Sequence, residues 1–347
     1  MKRVKVLLFG VGQVGLVAAK QLLDENYDIV GAFSQDKNIG KDIGTLAVGA
    51  PIGVLIEALA GFQASKFNAD AALFCTSGSP YDLLESPAQC LSAGINVVTI
   101  AEGATYPWTY DADLSAKIDE IARNGGASIT STGMTDTYMV HLAAVAASTV
   151  PAVTAIKVYT VGDFGRLGPA ALSAMPLGLL PEDFVAMLQN PPPEGAIPPP
   201  SISGQCLEAL AKLTGVTSRE TRASVDFVLA KRPIRIDILD RTLEVGTISG
   251  LLETTTMQTE EGIELTINLV AEIFADDQAE MQRIVIDSSD VPSLTVDAGP
   301  TPGVEYTAAI AINRIHDVIA APPGFQTIDR LPAPLFRKRA DRRTFAP

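Results

Sequence analysis

Six residues, GVGQVG at positions 10–15, constrain this chain more than any other stretch. They follow directly on an apolar, β-rich run, VKVLLF, and open a segment in which Val14, Val17, Ala18 and Leu22 recur at helical spacing. Glycine permits the tight turn from strand to helix and a close approach of backbone to a ligand, while the helix N-terminus offers unpaired N–H groups to a pyrophosphate. A lone G-x-G-x-x-G is weak evidence. Here the preceding strand, the following helix and a second strand, DIVGAF, favour a dinucleotide-binding turn over a purely structural one, with Gly10, Gly12, Gln13, Val14 and Gly15 as the expected cofactor contacts.

The same alternation continues to about residue 140. DAALF, NVVTI and ASIT read as further strands, and Leu114, Ile118, Ile121 and Ala122 read as a helix with Asp111 or Asp113 as N-cap and Gly125-Gly126 as its stop. Strands alternating with helices predict a Rossmann-type parallel sheet, hence an α/β first domain. Beyond about residue 150 the strands lengthen. NPPPEGAIPPP at 190–200 reads as an extended connection, and VGTISGLLETTTMQ and ELTINLVAEIF read as an antiparallel hairpin whose Gly262 supplies a positive φ. This second domain is expected to be α+β. YTAAIAINRIHDVIAAPPG reads as a helix until Pro322, Pro323 and Gly324 stop it.

Composition excludes some partners. A chain of 347 residues, 47% hydrophobic, can bury two cores. With 26 Lys and Arg against 40 Asp and Glu, a net charge of -14 opposes nucleic acid, so no nucleic-acid partner is expected. The basic run RKRADRR at 337–343 reads as a solvated tail. MKRVKVLLFG mimics a signal peptide but its apolar stretch is too short, and no run of about 18 apolar residues exists, so no membrane segment is expected. Cys75, Cys90 and Cys206 lack C-x-x-C pairing, which suits a reducing, cytoplasmic compartment, and Cys75 lacks a base that would activate it. His141 and His316 both lie among apolar helical residues, so no metal site is expected.

A site specific for NAD usually carries an acidic residue at the end of the second strand, about 20 residues beyond the glycines. This chain has Ser34 there. A hydroxyl does not repel a 2′-phosphate, and Lys37 or Lys41 can neutralise one, so the cofactor is NADP or NAD with NADP(H) acceptance favoured, unless Asp36 turns toward the ribose. In an open parallel sheet, ligands bind beyond the carboxyl ends of the strands. Thr76, Ser77 and Gly78 follow one such end and Glu102, in NVVTIAEGATYPW, follows another, so both loops are expected near the nicotinamide. From position alone, Glu102 is equally a catalytic group, an exposed loop carboxylate or a helix-capping charge.

Four segments, IAEGATYPW, SITSTGMTDTYMVHL, VGTISGLLETTTM and INRIHDVIAAPPGFQTIDRLP, resemble the native amine dehydrogenases and 2,4-diaminopentanoate dehydrogenases, a family related in fold to dihydrodipicolinate reductase. The resemblance covers nearly the whole chain. It implies NAD(P)H-dependent reductive amination of a ketone or aldehyde with ammonia, reversible as oxidative deamination of a primary amine, with Glu102 catalytic. Three segments are expected: a dinucleotide-binding domain at 1–140, a substrate and dimerisation domain at 141–305, and a C-terminal helix and tail at 306–347 that, as the resemblance implies, returns to the first domain. Tyr106 and Trp108 are expected either to line an apolar substrate pocket or to pack the next helix. Asn313 either contacts the nicotinamide or substrate, or is exposed on its helix. Met134, Thr135, Asp136 and Tyr138 resemble residues near the substrate cleft, where the chain departs from the G-x-G-x-N-P-G pattern of the diaminopentanoate enzymes, favouring a simple amine. A homodimer through the second domain is expected. The competing readings are a nicotinamide-dependent carbonyl or diamino acid oxidoreductase and a noncatalytic NADP(H)-binding sensor.

Overall fold

The computed structural model describes residues 3–76, 79–166, 172–173, 175–189, 201–275 and 278–337. The run at 190–200, read as an extended connection, lies outside them. The chain divides into two compact units, one holding residues up to Thr137 and from Val304 onward, the other Tyr138–Gly303.

The first unit is built on seven strands: β1 (Lys5–Phe9), β2 (Asp28–Ser34), β3 (Ile56–Ala58), β4 (Ala71–Phe74), β5 (Asn96–Thr99), β6 (Ser128–Ser131) and the late β15 (Gly324–Phe325). Their order is β15-β6-β5-β4-β1-β2-β3, and every pairing is parallel. The five strands expected from the sequence are all present. The short β3 and β15 were not anticipated, because three and two residues carry too little pattern to read. Helices α1 (Gln13–Asp24), α2 (Ile43–Val48), α3 (Ser86–Ser92) and α4 (Ala112–Gly125) form between strands. α1 buries Gly15, Ala18, Ala19, Leu22 and Leu23. α4 starts at Asp111, whose carboxylate accepts the Leu114 N–H at 2.9 Å and the Tyr81 hydroxyl at 2.8 Å, and stops at Gly126 with φ +68°. Those bonds hold the Asp111 carboxyl below its usual range and, reciprocally, push Tyr81 up to about 12.

The C-terminal helix Gly303–Ala320 contributes Ala308, Ala311, Ile312, Ile315 and Val318 to the core formed by α1, β1 and β2, so it packs on the first unit as expected. On the other sheet face, β1 and β4 end in a phenylalanine and β2 carries one as its penultimate residue. Parallel register sets Phe9 beside both Phe33 and Phe74, with ring centroids 4.9 and 4.1 Å away and both pairs stacked.

The second unit carries a mixed six-stranded sheet of β7 (Val153–Asp163), β8 (Ser218–Leu229), β11 (Ile248–Thr259), β12 (Glu264–Glu272), β13 (Met281–Ser288) and β14 (Leu294–Ala298), in the order β14-β13-β7-β12-β11-β8. A small pair, β9 (Ile234–Ile236) with β10 (Arg241–Leu243), lies apart from it in the topology. The expected hairpin is β11 with β12, antiparallel, and Gly262 takes φ +79° in its turn. Helix Ile202–Thr214 buries Cys206, Leu207, Ala209, Leu210 and Ala211. The chain passes from the first unit to the second inside a π-helix, Thr135–His141, a form that recurs at functional sites and that no sequence period announces. Among the described residues, no helix is long and apolar enough to cross a membrane.

Replacing Phe9 by Ala removes the ring shared by both stacked pairs from a site that is 1% exposed. Equilibrium urea unfolding is expected to record a loss of about 3–5 kcal/mol, with secondary structure retained at zero denaturant.

Candidate active site

The glycine turn closes as its motif requires. Gly10 takes φ +83°, and a Cβ there would lie 2.7 Å from the Cys75 carbonyl oxygen and 2.8 Å from Thr76 Cγ2. A Cβ on Gly15 would lie 1.8 Å from the Gly10 carbonyl oxygen, so only glycine lets α1 approach the end of β1. A Cβ on Gly12 would meet nothing within 4 Å. Gly12 is also the N-cap of α1. No side chain caps the helix there and no acidic residue occupies its first turn, so the helix start keeps the N–H groups and partial positive charge that suit an anion. These residues fit a pyrophosphate. Thr76, at the end of β4, is exposed and lies against Gly10, whereas Ser77 and Gly78 lie outside the described residues.

Ser34 ends β2 and is 6% exposed, its hydroxyl accepting the Lys37 N–H at 3.1 Å, while the Lys37 side chain is exposed. Cys75, half-buried at the end of β4, has a thiol pushed up to about 12 by burial, the opposite of an activated nucleophile.

Glu102 begins a short 3-10 turn, Glu102–Ala104, immediately beyond β5. Its side chain retains exposed surface, yet the protein around it desolvates the carboxyl and raises its pKa above the ordinary 4.5. The two facts are compatible, because accessible area reflects contact with the nearest water whereas desolvation reflects all the low-dielectric matter around the group. This environment separates Glu102 from an ordinary loop carboxylate. A cavity of about 440 Å³ along β2 and β3, lined in part by Phe33, Leu55, Phe62, Lys66 and Phe67, shares no residue with this loop.

The backbone before Glu102 is held from β6. Ser131 Oγ donates to the Ala101 carbonyl at 2.8 Å, the same oxygen that accepts the Ala104 N–H at 2.9 Å. Ala101 N donates to Thr99 Oγ1 at 3.1 Å, and Thr132 N donates to the Thr99 carbonyl at 2.9 Å. Beyond β6, Thr132 Oγ1 donates to Asp136 Oδ2 at 2.6 Å. The Asp136 carboxylate also receives Nε and Nη2 of Arg314, each at 2.7 Å, and Arg314 Nη1 reaches Asp317 at 3.2 Å and the Pro332 carbonyl. Arg314 and Asp136 are 0% exposed. Stranding either charge by removing the other costs about 3–5 kcal/mol.

These contacts correct several expectations. Asp136 is not a substrate contact: it has no exposed surface and both its oxygens are engaged. Trp108 packs against the core that holds Leu114, Ile118 and Phe74, which is the packing alternative, although its buried Nε1 finds no partner among the described residues. Arg337 was read as the start of a solvated tail but pairs with the buried Asp317, and the remainder of that basic run lies outside the described residues. Tyr106, Met134 and Asn313 are half-buried in the first unit, and Tyr138 is half-buried in the second. Thr135 is 1% exposed, and its hydroxyl, like that of Thr105, has no partner among the described residues. Sequence reading missed Ser131, Thr132 and Arg314. The signals were present as four hydroxyl residues, 128 and 130–132, in and just after β6, and as an arginine on a mostly apolar helix with Asp317 three residues on.

A glycine turn after β1 of a parallel sheet, with a desolvated carboxyl after β5 on the far side of β4, defines a Rossmann-type dehydrogenase. The family model of the 2,4-diaminopentanoate dehydrogenase C-terminal domain matches residues 134–344, more than half of the chain, and the chain belongs to that family. A 2,4-diaminopentanoate dehydrogenase from Acetoanaerobium sticklandii is 24% identical over 96% of this chain and 95% of its own. The structure of an amine dehydrogenase from Mycobacterium smegmatis matches with a TM-score of 0.87 at 28% identity, covering 97% of this chain and 98% of that one. The myo-inositol 2-dehydrogenase of Lactobacillus plantarum, at 13% identity and a TM-score of 0.59 over 95% and 93% of the two chains, shares the fold.

Because the folded state raises the Glu102 pKa, it binds this proton more tightly than the unfolded chain does. Stability from this group is therefore fully present below pH 4.5 and is lost as pH rises through the folded value. Thermal melts of Glu102→Gln are expected to match the wild type near pH 4 and to exceed it at pH 8. Identical melts at both values would show that the carboxyl is fully hydrated.

Proposed function

We propose that this protein is an NAD(P)-dependent amine dehydrogenase, catalysing the reductive amination of a ketone or aldehyde with ammonia and the reverse oxidative deamination of a primary amine. The observation that carries this reading is the desolvated Glu102 at the end of β5, on the sheet that carries the glycine turn. The amine and diaminopentanoate dehydrogenases that it matches over nearly its full length support the choice of substrate class.

Gly10, Gly12, Gln13, Val14 and Gly15 would hold the pyrophosphate, with Thr76 toward the nicotinamide. Bound there, a reduced nicotinamide supplies hydride. Glu102 takes a proton as ammonia adds to the carbonyl and returns one as the carbinolamine loses water. As a carboxylate it then stabilises the iminium cation. Poor hydration suits these roles, because a raised pKa brings the group nearer to balance between its two protonation states at neutral pH. Thr135, whose buried hydroxyl has no partner among the described residues, together with Tyr106, Met134 and Asn313, is proposed to contact substrate or nicotinamide. Ser34 and the exposed Lys37 support acceptance of NADP as well as NAD. The three free cysteines suit a reducing cytoplasm.

A second copy of the chain is proposed to cover the second unit's sheet. Its edge strand β8 is exposed along most of its length, including Val225 and Leu229, and an uncovered edge of this length invites pairing. Light scattering is expected to report twice the chain mass for the wild type, and a smaller mass for Val225→Asp.

Oxidation of a panel of primary amines with NAD+ and NADP+ at alkaline pH, and the reverse reaction with and without an ammonium donor, tests the activity. Turnover of an amine is expected. Glu102→Gln should keep cofactor affinity and lose about 10²- to 10⁴-fold in kcat. Carbonyl reduction indifferent to ammonium would instead identify a carbonyl reductase, and cofactor binding without any turnover a sensor.

A further inference from the structure

We infer that Ser131, Thr132, Asp136 and Arg314 act together as positioning residues for Glu102, transmitting the placement of the C-terminal helix to the loop that carries the carboxylate. The inference rests on the proposed role of Glu102 and assigns it a support that its own loop lacks.

The connection runs through named atoms. The peptide that precedes Glu102 ends in the Ala101 carbonyl, which accepts from Ser131 Oγ at 2.8 Å and, at 2.9 Å, from the Ala104 N–H that closes the 3-10 turn. Ser131 is 1% exposed, so water cannot take over the bond if its hydroxyl is lost. The neighbouring Thr132 is fixed at both ends. Its N–H pairs with the Thr99 carbonyl at 2.9 Å, and its hydroxyl donates at 2.6 Å to Asp136 Oδ2. Asp136 is then clamped by two 2.7 Å bonds from Arg314, a residue 178 positions away in sequence. Arg314 is in turn held by Asp317 and by the Pro332 carbonyl, and Arg337 braces Asp317.

A core built only for stability has no need of this. Fully buried charges give no clear gain in stability over apolar residues of similar volume, whereas a bidentate arginine–carboxylate pair defines direction and distance. The pair fixes the turn after β6, and β6 through Ser131 fixes the turn after β5. Proton exchange needs heavy atoms within about 2.6–3.2 Å. Freeing the Ala101 peptide therefore acts on the chemical step rather than on binding.

The test uses Ser131→Ala, Ser131→Thr and Arg314→Lys in the full-length protein, each alone and with Glu102→Gln. Kinetics of amine oxidation, nicotinamide fluorescence for cofactor affinity and hydrogen exchange of the amides at 102–105 are read together. Ser131→Ala and Arg314→Lys are expected to lower kcat about 10- to 100-fold, as a displacement of about 1 Å does, with KM and cofactor Kd within about 3-fold. Amides 102–105 should exchange faster, Ser131→Thr should recover most of the lost kcat, and neither substitution should lower activity further once Glu102 is Gln. Should Arg314→Lys not fold, Ser131→Ala decides alone, since it removes one hydroxyl and no charge. Unchanged kcat and exchange, or losses equally large in the Glu102→Gln background, overturn the inference. Wild-type protein that oxidises no amine overturns the reaction itself, and unchanged exchange in Ser131→Ala then overturns the positioning as well.

Discussion

Parallel pairing of β1, β4, β5 and β6 aligns their carboxyl ends along one edge of the sheet, and the chemistry of the first unit depends on that alignment. Each strand delivers a different element there: the glycine turn after β1, Thr76 after β4, Glu102 after β5 and the Thr132–Asp136 turn after β6. Parallel strands require crossovers, so these four loops are separated by helices and come from distant parts of the sequence. The strand ladder makes them neighbours. The backbone at Gly10 approaches the end of β4 so closely that a side chain there would collide with it.

The region distinguishes two carboxyl groups by environment. Asp136 is enclosed with a bidentate guanidinium partner and a hydroxyl donor, an arrangement that fixes its direction. For Glu102, desolvation by the surrounding protein pushes the pKa up, so its carboxyl holds a proton more readily than an ordinary glutamate does. Paired and immobile, Asp136 serves architecture. The desolvated and reachable Glu102 can exchange a proton with a guest.

Legibility in the sequence followed periodicity. Five strands of the parallel sheet, helices α1 and α4, and the β11–β12 hairpin all carry patterns long enough to read, with the cap at Asp111 and the stop at Gly126 marking α4. The strands β3 and β15 were too short to announce themselves, and the π-helix at Thr135–His141 breaks any helical period. Within the site, the glycine turn was readable because its geometry is local. The role of Asp136 was misread because its partner lies 178 residues away and nothing in either local pattern names the other. For Trp108 the sequence left a pocket wall and packing of the next helix equally open, because only the fold shows that this ring, in its own 3-10 turn, packs against the core.

The order of residues by itself determined the parallel α/β domain, the nucleotide turn and the place of Glu102 beyond a strand, because each follows from local backbone preference and from which residues avoid water. Tertiary structure decided how well Glu102 is hydrated, which carboxyl is locked by Arg314, and that Ser131 holds the peptide before Glu102. Those properties depend on what surrounds an atom in space, and the surroundings here are assembled from segments that no reading of one stretch brings together.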